Sequence, residues 1–95
     1  MNDIIFEWDE SKFTTNQKKH KISFEEAKSV FYDDNAKYRN DPDHSEEEER
    51  FIILGLSKKA NLLVVCHCYR ASDTIIRIFS ARKATPNERR DYEKH

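Results

Sequence analysis

Three runs decide the fold: FIILGLS at 51–57, LLVVCHCYR at 62–70 and TIIRIFSAR at 74–82. Each is dense in β-branched, aromatic and aliphatic residues, and short polar turns separate them. They read as an antiparallel meander. Before them, Ile4 to Trp8 reads as a first strand and Ala36 to Arg39 as another short one. Asp9 is placed to N-cap a polar helix running to about Lys21, whose one clearly apolar residue is Phe13. Ser23-Phe24-Glu25-Glu26 reads as a capping box in which Ser23 and Glu26 satisfy each other's backbone donors. Phe24, Ala27, Val30 and Phe31 then share one helical face, and Asp33-Asp34-Asn35 ends that helix. After the meander, Thr85-Pro86-Asn87-Glu88 opens a last helix with Thr85 as N-cap, Pro86 in the first turn and Glu88 closing a capping box. Runs of helices and strands, rather than strict alternation, predict an α+β domain with helices on one sheet face and the other face open to a ligand.

The 95 residues allow a single domain, 1–95, with one core. One Gly and two Pro leave little room for linkers. The start, Met1-Asn2-Asp3-Ile4-Ile5, lacks the basic and apolar pattern of a signal peptide, and no run approaches the roughly 18 apolar residues of a membrane span. Cys66 and Cys68 lie two apart in a strand, a poor spacing for bridging each other. Reduced thiols and a cytoplasmic location are expected. The net charge of −1 conceals an asymmetry: residues 1–50 sum to −6 and residues 51–95 to +5. Such sorting suits a polyanion on the basic half, although uneven charge also occurs in proteins with no such partner.

The meander and last helix concentrate Arg70, Arg77, Arg82, Lys83, Arg89 and Arg90 around His67 and Tyr69. RNA cleavage without a metal needs a base for the 2′-OH, an acid for the leaving 5′ oxygen and fixed cations for the phosphorane between them. His67, Arg70, Arg77 and Arg82 are the candidate catalytic group, with Lys19, His20, Tyr69 and Lys83 as candidate substrate contacts. The plainer reading makes the arginines solvated surface residues and His67 a packing residue. A period of two puts Leu63, Val65, His67 and Tyr69 on one face of their strand and Arg70 on the other. The same period groups Ile76, Ile78, Ser80 and Arg82, with Arg77 opposite. A regular sheet therefore cannot gather all the candidate cations. A twist or bulge near the end of a strand is expected to bring His67 and Arg70 together, faced by Arg77 or Arg82.

Cys66-His67-Cys68 is a single C-x-C with no second pair, so no metal is expected. Asp41-Pro42-Asp43-His44-Ser45 reads as a capped turn rather than a hydrolase triad, and Glu46 to Glu49 as a solvated charge run. No glycine-rich phosphate loop is present, and no cofactor is expected.

Beyond pattern, Phe6-Glu7-Trp8-Asp9, Lys12, Asn16, Lys19-His20 and Ile22-Ser23-Phe24-Glu25-Glu26-Ala27 together resemble the opening signature of BrnT-type toxins. Asp43-His44-Ser45, Glu49-Arg50, Gly55, Leu63-Val64-Val65 and Ile76-Arg77-Ile78 continue it. Ser80-Ala81-Arg82-Lys83-Ala84, Glu88-Arg89 and Tyr92-Glu93 close it. Cys66 and Phe79 stand where the pattern expects aliphatic residues. The resemblance implies a RelE-like fold: an antiparallel sheet of three to five strands, two N-terminal helices and one C-terminal helix. It implies a toxin that arrests translation by cutting RNA, neutralised by a BrnA-type antitoxin with a ribbon-helix-helix DNA-binding region. DNA contact is then expected through the antitoxin, not through this chain. The resemblance assigns no catalytic base. A non-catalytic module that binds RNA or a partner is the alternative, and growth arrest on expression discriminates the two.

Overall fold

The structure, a computed structural model, describes residues 4–41 and 49–94. The expected Asp43-His44-Ser45 turn and most of the glutamate run lie outside the described residues. The chain forms β1 (Ile5–Trp8), α1 (Glu10–His20), α2 (Phe24–Ser29), a 3-10 turn (Val30–Tyr32), β2 (Lys37–Asn40), β3 (Phe51–Leu56), β4 (Leu62–Arg70), β5 (Ile75–Lys83) and α3 (Pro86–Glu93). One five-stranded sheet has the order β1-β5-β4-β3-β2. The meander of β3, β4 and β5 is antiparallel, as expected, and β2 pairs with β3 to extend it. At the other edge β1 pairs with β5 in parallel, so the sheet is mixed. That pairing is possible because the long excursion from Trp8 to Ile75 returns the chain in the same direction.

Two cores follow from strand alternation. Ile53, Leu63, Val65, Ile76, Ile78 and Ala81 face α1 and α2, where Phe13, Ile22, Ala27 and Val30 complete the main core. Their neighbours Leu54, Leu62 and Val64 point the other way and form a smaller cluster with Ile52, Ala84 and Tyr92 of α3. Helices therefore cover parts of both faces, which corrects the expectation of one bare face. No residue of α3 is buried, and polar ties hold it. Tyr92 donates to Asp33 Oδ2 at 2.7 Å, Arg82 pairs with Glu88 at 2.8 Å, and Lys37 Nζ donates to the carbonyl of Lys94 at 2.6 Å.

The helix caps are local and mostly match the sequence. Asp9 accepts from Lys12 N–H, and Thr85 with Glu88 makes the full capping box. At α2 only half of the expected box forms. Ser23 Oγ accepts from Glu26 N–H at 3.1 Å, but the Glu26 carboxylate turns away from Ser23. It accepts instead from Ser57 Oγ at 2.7 Å and Asn61 Nδ2 at 2.8 Å, in the turn joining β3 to β4. Glu26 is 3% exposed, so removing it strands the buried Ser57 hydroxyl and the half-buried Asn61 amide. Glu26→Ala is expected to cost about 3 kcal/mol in urea unfolding, with Glu26→Gln milder because one acceptor oxygen remains. Equal stability for wild type and Glu26→Ala would refute the assigned role. Gly55 serves the same region by absence: a Cβ there would sit 3.0 Å from Val30 Cγ1 and 3.1 Å from Asp33 Oδ2. The backbone approaches too closely for a side chain.

α1 is anchored differently. β1 pairs only with Ile75 to Ile78, so the rest of β5 has a free edge. Asn16 occupies it as a strand would: its Nδ2 donates to the Ala81 carbonyl at 2.9 Å and its Oδ1 accepts from Ala81 N–H at 3.2 Å. Asn16 is itself buried, and this two-point contact explains how a helix with little apolar surface stays seated.

Candidate functional site

The meander contains one irregularity, and it reorganises the candidate residues. Cys66 pairs with Ser80 but His67 with Ile78, which leaves Phe79 as an extra residue in β5. A bulge of this kind reverses the inside–outside phase of the strand beyond it. Ala81 joins the main core, while Arg82 pairs with Val64 of the smaller cluster. Arg77 pairs with Cys68 on that second face as well. The bulge thus places Arg70, Arg77 and Arg82 on one face, correcting the grouping of Ser80 and Arg82 with Ile76 and Ile78.

His67 goes to the opposite face. It is 0% exposed, and its ring lies against Phe31 at 4.7 Å, Tyr69 at 5.3 Å, Phe51 at 6.2 Å and Tyr38 at 6.4 Å between centroids. Nδ1 approaches the Val65 carbonyl at 3.2 Å, which requires the proton on Nδ1. Nε2 is buried with no hydrogen-bond partner among the described residues. Burial drives the pKa down to about 4 against the smaller upward pull of the Val65 carbonyl, so the ring is neutral at pH 7. In this geometry His67 packs the core. The expected meeting of His67 with Arg70 does not occur.

The arginines are engaged. Arg77 pairs with Glu7 at 3.0 Å and with Asp9 at 3.6 Å. Arg82 makes a two-pronged contact with Glu88, both bonds 2.8 Å. That contact holds the Glu88 carboxyl down at about 2, with the smaller effect of burial opposing it. Arg70 and Lys83 are exposed at the ends of their strands. Neither Cys66 nor Cys68 is in a disulfide, and Cys66 Sγ donates to Asp41 at 3.3 Å. Burial and that neighbouring carboxylate push the Cys66 thiol up to about 12, so it is no nucleophile.

The second-rank candidates come together instead. Lys19 and His20, in the last turn of α1, line a cleft of about 520 Å³ with Ser11, Lys12, Thr15, Asn16, Phe79 and Ser80. Helical spacing puts Lys12, Asn16 and Lys19 along one side of α1, and the Asn16–Ala81 contact fixes that side against the bulge. Phe79 is held between cations: the Arg50 guanidinium lies 3.9 Å from its ring centre and Lys12 Nζ 5.6 Å. No carboxylate lines this cleft among the described residues. Sequence reasoning missed Lys12, Arg50, Phe79 and Ser80 as site residues. The four-residue spacing of Lys12 and Asn16 was a usable signal; the bulge was not. The arrangement offers an imidazole, hydroxyls and several cations to one anionic group. Among the described residues no group of three or more His, Cys, Asp or Glu is placed to hold a metal ion.

A family model described as the ribonuclease toxin BrnT of type II toxin–antitoxin systems matches residues 8–88. The chain belongs to the BrnT family. In structure it is similar to the ribonuclease toxin BrnT of Brucella abortus, with a TM-score of 0.56 at 21% identity over 86% of this chain and 97% of that one. At that identity the likeness speaks for the fold. No curated protein matches the sequence at a significant level. The matched span runs from Trp8 at the end of β1 to Glu88 in the first turn of α3, so the bulge and the α1 cleft both lie within it. No helix among the described residues is long and apolar enough to cross a membrane.

Proposed function

We propose that this BrnT-family toxin cuts RNA without a metal ion and that the scissile phosphate sits in the cleft between α1 and the β5 bulge. The observation that carries this reading is the cleft lining, which unites His20, Lys12 and Lys19 with hydroxyl groups and contains no carboxylate among the described residues. His20 takes the 2′-OH proton, and the 2′ oxygen attacks phosphorus. Lys12 and Lys19 stabilise the phosphorane, the bond to the 5′ oxygen breaks, and an ammonium group of the cleft protonates that oxygen. The products carry a 2′,3′-cyclic phosphate and a 5′-hydroxyl. Arg82, on the face reached past Ser80, together with Arg77, Arg70 and Lys83, binds flanking phosphates; the surface pairs with Glu88 and Glu7 exchange for phosphate contacts. The partner is a BrnA-type antitoxin with a ribbon-helix-helix region, acting in the cytoplasm by covering the cationic cleft. Residues 1–95 act as one toxin domain.

Incubation of the purified protein with a defined oligoribonucleotide, with and without EDTA, tests this. Cleavage that persists in EDTA and leaves cyclic phosphate ends is the expected result. Cleavage abolished by EDTA would assign the chemistry to a metal, and intact RNA that is nevertheless bound would make the chain a binding module.

A further inference from the structure

At the end of the sheet far from α3, where β3 begins and β4 ends, a second cavity of about 500 Å³ opens. Among the described residues it is lined by Glu49, Phe51, Cys68, Tyr69 and Asp73. Its chemistry is the reverse of the α1 cleft. Two exposed carboxylates stand at its rim, and two aromatic rings form its wall, Phe51 and Tyr69, 5.5 Å apart and inclined at 62°. The rings are backed by the buried His67, which touches both. That backing fixes their orientation.

The rim is set by an unusual turn. Ala71, Ser72 and Asp73 all have positive φ, at 51°, 56° and 68°. Three successive non-glycine residues in the left-handed region are costly, and such strain persists where the surrounding structure requires it. Here it presents Asp73 to the cavity, close enough that its charge adds to burial and to Tyr38 in raising the Tyr69 pKa.

We infer that this cavity is a docking pocket for a guanidinium side chain of a protein partner. Aromatic faces and carboxylates are the two features a guanidinium uses at once, stacking on the first and pairing with the second. Fixed aromatic residues around a partly buried charge are also the usual energetic centre of a protein interface. The carboxylates repel nucleic acid, so phosphate is disfavoured in this pocket and a cationic side chain of a protein partner is favoured. Only the identity of the partner as an antitoxin rests on the proposed function; the pocket's preference for an arginine does not.

The test uses N-acetyl-arginine N-methylamide as the probe, titrated into isotopically labelled protein and followed by NMR. N-acetyl-norleucine N-methylamide and an oligouridylate serve as comparisons. Saturable shifts at Phe51, Tyr69 and Asp73 with the arginine probe alone are expected. Binding by the double variant Glu49→Gln, Asp73→Asn should be roughly tenfold weaker, with its spectrum otherwise superimposable on wild type. An equal response to norleucine, no saturable response to arginine, or the oligouridylate shifting the same resonances would overturn the inference. RNA cleavage by the same double variant should match wild type. A chain that failed to cut RNA yet bound the arginine probe would refute the proposed function and leave the pocket standing.

Discussion

His20→Ala is expected to slow RNA cleavage by about 10²–10⁴-fold and to relieve growth arrest, with the melting temperature close to that of wild type. His20 lies in the last helical turn of α1, ahead of Lys21, whose backbone is left-handed at φ 62° and whose N–H donates to the Gln17 carbonyl. None of these bonds uses the imidazole, so the helix end survives its loss. Alanine is also a better helix former than histidine, so the substitution does not weaken α1 through propensity. Lys19→Ala should reduce the rate as well, and more steeply at low salt, because a phosphate contact is screened as salt rises. Rates are to be measured on one oligoribonucleotide with protein whose circular dichroism matches wild type. A His20→Ala protein that cuts at the wild-type rate would move the proton transfer out of the α1 cleft.

The second large effect is on stability, and it belongs to His67. Its pKa falls from an ordinary 6.5 to about 4 in the folded chain because burial disfavours the imidazolium. Above pH 6.5 neither state protonates it, and the full stability is present. As pH falls from 6.5 towards 4, the unfolded chain takes up a proton that the folded chain refuses, and stability drops by about 3 kcal/mol. The carboxylates act in a lower window. Glu88, held down at about 2 by Arg82, and Asp33, whose bonds from Leu56 N–H, Tyr92 and Asn35 N–H outweigh burial, lose their contribution only below the ordinary carboxylate range. A plot of unfolding free energy against pH should therefore bend first near pH 6.5. His67→Phe keeps a ring among Phe31, Phe51 and Tyr69, removes the titrating nitrogens, and should leave the region from 6.5 to 4.5 flat. An unchanged bend in His67→Phe would place the acid-sensitive group elsewhere.

The two histidines show what a pattern can and cannot convey. His67 sits among arginines in sequence, and that company suggested chemistry. Its fate depended on Phe31 from the 3-10 turn and Tyr38 from β2, residues remote in sequence that close over it. His20 sits in a polar helix with little to distinguish it. What gives it a setting is Asn16, which hydrogen-bonds the free edge of β5 and brings Phe79 and Ser80 to the same cleft. The capping box at Ser23 shows the same division. The half made from Ser23 is local and was legible, whereas the Glu26 carboxylate found its two donors in a turn 31 and 35 residues away.

By itself the sequence determined the strands of the meander, the helix starts at Asp9, Ser23 and Thr85, the α+β class and the family signature. The strands and helix starts rest on short β-rich runs and on capping contacts three residues apart, so short segments of chain carry them, whereas the family signature rests on matches spaced along the chain. Tertiary structure decided the parallel pairing of β1 with β5, the burial of His67 and the position of the bulge at Phe79. The bulge matters most, because a period of two tells inside from outside only until one extra residue is inserted. Which strand absorbs that residue is settled by pairing with its neighbour, and through it Arg70, Arg77 and Arg82 share a face that their spacing had denied them.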